Sequence, residues 1–353
     1  MKTGIVGAGA IARRGHLPAY RTIPEIEIAG IADLDLSQAE KVAAEFGIPW
    51  YVPDYETLLE DDSIGLIDIC TPTQTHLEVI RTAAERGRHI LVEKPLSTTL
   101  EDTLEIQKIV KANDIHLCVV YNWRYASSVR IVKNRISGGY LGNIVTIHGL
   151  GLTSFPSSWT LNTWLYHQGG ALYDFGPHMV DLVLYMKDFS PVKTVYAAGG
   201  DFSHGYMDFI NYAVLTIEFE DGSVVTTDIS WMTASVMKFT LDIHGTAGNI
   251  FLDIRNDSYS EVHGFSTPFD DIRYFFNKMW RIGTDVLSGS YFNGANAYYK
   301  PMIHDFINAI KGNCEIPVTV DQAVMTNTVL EAAKLSILEN RPVGYSELVR
   351  ECR

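Results

Sequence analysis

Cysteine is scarce in this chain of 353 residues, and the four present, Cys70, Cys118, Cys314 and Cys352, form no C-x-x-C pair. Spacing this wide argues against a disulfide scaffold and against a metal cluster, so no metal is expected. Cys70 and Cys118 sit in apolar, strand-like runs and read as buried free thiols of a reducing compartment. Positive charge is also in short supply: 28 Lys and Arg stand against 42 Asp and Glu, a formal net charge of −14 with the acids scattered along the chain. Nucleic acid and anionic membranes are held largely through clustered Lys and Arg, so neither is an expected partner. No apolar run is long enough for a membrane span. The N-terminus lacks the charged-then-apolar layout of a signal peptide and opens on a strand pattern, so a cytoplasmic location is expected. Internal repeats and low-complexity stretches are missing too.

What remains is an ordinary globular balance, 46% apolar and 20% charged, in a chain long enough for two domains. In the first third, short apolar runs at 3–6, 27–32, 65–70, 89–92 and 115–120 alternate with helical patterns at 37–46, 75–86 and 100–113. That alternation predicts an α/β, doubly wound parallel sheet covered on both faces. Past Tyr121 the pattern changes. A helix over 126–137 ends at Gly138-Gly139, and longer alternating runs follow at 144–152, 192–198, 212–219, 224–231 and 239–244. Glu220-Asp221-Gly222 marks a hairpin between two of them. Helices are predicted over 172–186, 301–311 and 321–339. The division is therefore a dinucleotide-type domain, 1–121, and an α+β domain with an antiparallel sheet, 122–353. Segment 267–300 is dense in Phe, Tyr, Trp and Gly, suited either to a substrate pocket or to packing at a subunit contact.

Directly after the first strand comes Gly7-Ala8-Gly9-Ala10-Ile11-Ala12, a G-x-G-x-x-A turn opening a helix. The first glycine permits the tight turn, the second lets backbone approach a pyrophosphate, and Ala12 keeps helix and strand close. Gly7, Gly9, Ala10 and Ile11 are thus cofactor-binding candidates. Asp33 ends the second strand, where a carboxylate accepts the ribose hydroxyls and repels a 2′-phosphate. NAD is favoured over NADP, with Arg13 and Arg14 keeping the exception open. Thr71-Pro72-Thr73 follows the strand ending at Cys70 and lies at the same carboxyl edge, with Thr73 or Thr75 available to cap the next helix. His76 belongs either to this rim or to a helix surface.

The run 89–92 delivers Glu93-Lys94-Pro95 to that edge, and packing explains a lysine there poorly. Farther on, Gly169-Gly170-Ala171-Leu172-Tyr173-Asp174-Phe175-Gly176-Pro177-His178 puts Asp174 and His178 on one helical face at i, i+4. A histidine with a same-face carboxylate and a glycine-rich entrance points to acid–base chemistry.

These separated motifs, with His16-Leu17-Pro18-Ala19 and Gly245-Thr246-Ala247-Gly248, resemble the glucose–fructose oxidoreductase, inositol dehydrogenase and MocA (Gfo/Idh/MocA) family in the same order along essentially the whole chain. The resemblance implies a Rossmann domain, a second domain on an open, mainly antiparallel sheet, and homodimers or homotetramers formed through that sheet. It implies metal-independent hydride transfer between NAD and a hydroxyl or keto carbon of a sugar, inositol or related polyol. Lys94 and His178 then form the catalytic pair and Asp174 assists. Tyr121 and Arg124 join Lys94, Asp174 and His178 toward substrate, while Glu93, Lys94 and Trp164 stand beside the cofactor, and the Lys94–Pro95 bond is expected to be cis. Ala171 departs from the family, where many members carry a third glycine. Two other readings use the same residues: an enzyme whose tightly bound NAD is used transiently, for sugar–sugar oxidoreduction or oxidation–elimination, and a non-catalytic NAD-sensing regulator.

Overall fold

Six strands, all paired in parallel, make the first sheet of a computed structural model of the chain: β1 (Lys2–Val6), β2 (Glu27–Ala32), β3 (Tyr51–Val52), β4 (Ile64–Ile69), β5 (His89–Val92) and β6 (Leu117–Val119). The structure describes residues 1–155, 169–202, 209–234, 237–262 and 297–351, with scattered positions between 269 and 283. Sheet order is β3-β2-β1-β4-β5-β6. Ile5, Ile31, Leu66, Ile67, Ile69, Ile90, Leu91 and Val92 are all fully buried. A sheet covered on both faces needs apolar residues on both, which is why these strands read as continuous apolar runs rather than alternations. Because β1 lies between β2 and β4, successive crossovers diverge there, a switch point outside whose strand carboxyl ends sheets of this kind bind ligands. The helices start where capping side chains allow: Asp35 accepts the N–H groups of Ser37 and Gln38 before Leu36–Phe46, and Thr99 accepts that of Asp102 before Leu100–Ala112.

This sheet belongs to a compact unit made of Met1–Asn122 and Asn296–Asn327. The block expected as 122–353 therefore gives up a segment to the first unit. The reason is the helix Tyr299–Ile310, whose Met302, Ile303, Phe306 and Ile307 form an apolar face that must be covered. An ideal Cβ on Gly15 would come within 2.8 Å of the Tyr299 ring, so the missing side chain there admits the aromatic. Asp321 adds polar ties, accepting from Gln107 Nε2 at 2.6 Å and pairing with Lys111 at 2.7 Å.

The second unit, Trp123–Ala295 with Thr328–Arg353, carries eight strands. They are β7 (Ile144–Leu152), β8 (Val192–Gly200), β9 (Tyr212–Phe219), β10 (Val224–Ser230), β11 (Lys238–Gly245), β12 (Asn249–Asp253), β13 (Ser258–Val262) and β14 (Val343–Gly344), in the order β13-β12-β11-β7-β10-β9-β8-β14. All pairs are antiparallel except β7 with β10. Alternation is clear on β9, where Ala213, Leu215, Ile217 and Phe219 point inward. The helix Gly176–Met186 packs on β7 and β10, and Ser127–Ser137 packs on β12 and β13. Strands β3, β12, β13 and β14 were not read from the sequence. The helix expected over 172–186 is two pieces, Ala171–Asp174 and Gly176–Met186. The hairpin at Glu220-Asp221-Gly222 joins β9 to β10, with the Asp221 carboxylate accepting the Ser223 N–H at 2.9 Å. Cys70 and Cys118 are free and buried, and Cys314 is free and exposed. No helix among the described residues is long and apolar enough to cross a membrane.

Candidate active site

The glycine turn is built at the carboxyl end of β1. Gly7 has φ +99°, a region L side chains rarely adopt, and its N–H donates to Ala32 O at 2.8 Å. A Cβ there would lie 2.8 Å from the Cys70 carbonyl, so the turn runs hard against the end of β4. At Gly9 a Cβ would meet nothing within 4 Å. The backbone is open on that side, as close approach of a pyrophosphate requires, and the residues present fit an NAD-type dinucleotide. Asp33 holds the turn from β2: its Oδ2 accepts the Ala8 N–H at 2.7 Å and its Oδ1 that of Asp35 at 2.9 Å. Leu34, next in sequence, is 92% exposed and brings no charge. Arg13 is tied to Glu45 at 2.6 Å, which commits one of the two arginines that kept NADP open.

The helix that leaves this turn is not regular. Ala12–His16 forms a π turn before Leu17–Tyr20, a local widening frequent at functional sites. It carries His16 into the interior, fully buried. The two ring nitrogens meet two carboxylates, Nδ1 with Asp68 Oδ2 at 2.7 Å and Nε2 with Glu93 Oε1 at 2.9 Å. Tyr299 donates its hydroxyl to the same Glu93 oxygen at 3.1 Å, and Glu93 Oε2 accepts the Lys94 N–H at 3.1 Å. Burial alone would push His16 down, but the charge and hydrogen bond of Asp68, with Cys70, hold it well above its ordinary 6.5. Burial alone would push Glu93 up, but the hydrogen bond and charge of His16, with Lys94, hold it below 4.5. Burial, then the Asp68 charge, pushes the Cys70 thiol up to about 12, leaving it a neutral thiol. His16, Asp68 and Cys70 lie close enough to suggest a metal site, yet both His16 nitrogens are already spent on carboxylates.

Linkage fixes the sign of the pH dependence. A raised histidine contributes stability that is complete below 6.5 and is lost as pH rises through its folded value. A depressed glutamate contributes stability present above 4.5 and lost as pH falls through its folded value. The apo protein should therefore melt at lower temperature as the solution becomes alkaline, and His16→Gln should flatten that slope. Parallel melting curves for the two proteins across the alkaline range would remove the assignment.

Several residues expected at the cofactor have other duties. Glu93 turns inward to His16 and Tyr299. His76 is fully buried and not a surface residue: Nδ1 lies 3.2 Å from Leu96 O and Nε2 3.1 Å from Thr71 O, so its ring sits between the loop after β4 and the loop after β5, with the one N–H of a neutral imidazole donating to one of the two carbonyls. Burial pushes its pKa down. Thr75 makes no side-chain cap to the helix His76–Glu85; its hydroxyl donates to Thr71 Oγ1 at 2.7 Å instead. Thr71 and Pro72 stay accessible and Thr73 is buried. Lys94 keeps partial exposure at the end of β5 and its bond to Pro95 is cis. Behind it, Asn327 Nδ2 donates to Thr103 Oγ1 at 3.0 Å and to Ser97 O at 3.3 Å, pinning the following loop.

In the second unit, His178 stands in the first turn of Gly176–Met186 and is 7% exposed. Its ring stacks on Trp123, centroids 4.3 Å apart and planes within 7°. Asp174 ends the preceding helix, and Phe175 stays right-handed helical (φ −90°, ψ −27°), so the two remain one turn apart. Arg124, expected to contact substrate, is buried and committed to Asp181 by bonds of 2.8 and 2.6 Å, with the Tyr185 and Phe189 rings under its guanidinium. Tyr121 is fully buried. Trp164 lies outside the described residues, as does most of 267–300. Sequence reasoning missed Asp68, and it reached Tyr299 only as part of the aromatic segment 267–300 and Trp123 only as part of 121–125, with no individual role for either. Asp68, a carboxylate inside an apolar strand, was a visible signal, because such a group needs a buried partner.

Two family models match. One, the oxidoreductase family with NAD-binding Rossmann fold (GFO_IDH_MocA), covers residues 1–121; the other, its C-terminal alpha/beta domain, covers residues 133–345. The chain is 29% identical to the oxidoreductase YrbE of Bacillus subtilis, over 97% of this chain and 96% of that protein. It is 23% identical to myo-inositol 2-dehydrogenase of Thermotoga maritima, over 99% and 100%. Among solved structures, the WlbA dehydrogenase of Bordetella pertussis, crystallised with NADH and UDP-GlcNAcA, superposes with a TM-score of 0.84 at 19% identity, covering 98% of this chain and 97% of that one.

Proposed function

Because the chain belongs to the Gfo/Idh/MocA family of NAD-binding oxidoreductases, we propose that it oxidises a hydroxyl-bearing carbon of a sugar, inositol or related polyol, or reduces the matching ketone, with NAD in preference to NADP. One observation carries the reading: Gly7, Gly9, Asp33 and the partly exposed Lys94 all sit at the carboxyl edge of one parallel sheet, where such sheets hold their ligands. Asp33 sets the nucleotide preference, since a fixed carboxylate at the end of β2 accepts ribose hydroxyls and repels a 2′-phosphate.

Gly7, Gly9, Ala10 and Ile11 would hold the pyrophosphate through backbone N–H groups, with Thr71, Pro72 and Thr73 alongside. When bound, NAD supplies the hydride acceptor, or as NADH the donor. The protein supplies proton transfer and placement. In the oxidative direction His178 takes the substrate hydroxyl proton on a ring nitrogen, and the stack on Trp123 fixes the plane of that ring. Lys94 donates a hydrogen bond to the same substrate oxygen and stabilises the negative charge developing there. Asp174, one turn before His178, orients substrate or imidazole. The reading requires Lys94 and His178 to act on one hydroxyl. On the outward face of the second unit's sheet, Tyr196 and Val224 leave apolar area exposed; we read this face as the one through which two or four copies assemble. The free thiols suit a cytoplasmic home.

The test is a panel of inositols, aldoses and alditols offered with NAD or NADP while absorbance of the reduced nucleotide is followed. Steady release of NADH with one panel member, and slower release of NADPH, is the expected result. Silence across the panel, or a preference for NADP, would contradict it.

A further inference from the structure

We infer that His16 is a positioning residue for this reaction: clamped between Asp68 and Glu93, it fixes the peptide of Lys94 and ties it to the helix that leaves the glycine turn. The inference rests on the function proposed above and extends it to residues that touch neither substrate nor cofactor. A neutral imidazole has one N–H, yet both ring nitrogens of His16 face carboxylate oxygens, at 2.7 and 2.9 Å. Paired with a carboxyl group on each side, the ring is matched by two donors, an imidazolium bridging β4 to the end of β5.

The bridge continues toward the chemistry. Glu93 uses Oε1 for His16 and Tyr299 and Oε2 for the Lys94 N–H, so the carboxylate that His16 orients is also the acceptor that orients the lysine's backbone. On its other side the network reaches the glycine turn, because His16 closes the π turn that begins at Ala12. Gly15 admits the Tyr299 ring, and that ring packs against His16 with centroids 4.8 Å apart. The groups facing His16 are Asp68 and Cys70 from the β4 side, Glu93 from the end of β5 and Tyr299 from the returning segment; behind them Tyr20 faces Asp68 and Lys94 faces Glu93. Surface turns do not need such a device. A buried histidine held between two carboxyl groups is costly to assemble, and its placement one peptide away from Lys94 gives that cost a purpose.

The experiment is a double-mutant cycle between His16→Gln and Lys94→Ala in the full-length protein, read with the panel member oxidised fastest, together with calorimetric titration of each apo protein with NAD. Misplacement of a reacting group by about an ångström costs on the order of 10²-fold in rate. His16→Gln is expected to lower kcat by about that factor while KM changes little. In the Lys94→Ala background the same substitution should cost less than about threefold, because the residue through which His16 acts has gone. NAD affinity should change less than about threefold in His16→Gln, as misplacing Lys94 leaves the phosphate-binding turn standing. Tyr299→Phe gives a milder version, keeping the ring on Gly15 and removing only the hydroxyl; it also serves if His16→Gln fails to fold. Penalties that multiply in full across the cycle would overturn the inference, and so would a normal kcat in both His16→Gln and Tyr299→Phe. Full activity in Lys94→Ala alone would instead bring down the proposed function beneath it.

Discussion

His178→Asn should lose about 10²–10⁴-fold in kcat, the usual worth of a positioned general base, while calorimetry finds NAD affinity nearly unchanged. Asparagine keeps a polar group of similar reach but cannot take up a proton near neutrality. The residue belongs to the second unit, whereas the glycine turn and Asp33 belong to the first, so the two measurements should separate cleanly. The stack on Trp123 sharpens the test. His178→Phe preserves the aromatic contact and loses the base, and should be as inactive as the Asn variant. An active Phe variant would show that the ring packs rather than reacts, and equal losses in turnover and NAD affinity would count against the assignment.

Arg124→Met should destabilise the protein by about 3–5 kcal/mol, the range for breaking a buried ion pair from one side. Asp181 is 1% exposed, and burial raises its pKa despite the pull of Arg124, so even in the intact pair its charge is held at some cost. Without the guanidinium the carboxylate has to take up a proton or drag water inward. Arg124→Met combined with Asp181→Leu should recover most of the loss, since well-packed apolar groups often replace a buried pair at little penalty. Urea unfolding of the three variants decides it. A single variant within about 1 kcal/mol of the parent would show that the pair behaves as though it were exposed, and would restore Arg124 as a candidate for substrate contact.

Arg124 and Glu93 show what separates a legible residue from an illegible one. Both are charged residues beside recognisable motifs, and sequence reasoning sent both to ligands. Each is instead consumed by a partner distant in the chain: Asp181 is 57 residues away, and Tyr299 is 206 away. Gly7 and Asp33 were legible because their tasks are local. A glycine after a strand is demanded by the φ of the turn, and an acid ending the next parallel strand lands beside it whatever the rest of the chain does. His76 lies between these cases, since its place in the helix was readable but its two carbonyl partners were not.

Burial on both faces of a parallel sheet writes continuous apolar strands into the sequence, and one-sided burial writes alternation, so two kinds of sheet and their order along the chain followed from local pattern alone. The return of 296–327 to the first unit, the spending of His16 on Asp68 and Glu93, and the parallel pairing of β7 with β10 were decided by tertiary structure. Each depends on which distant group has a vacant donor, acceptor or apolar face, and neighbours in sequence carry no record of that.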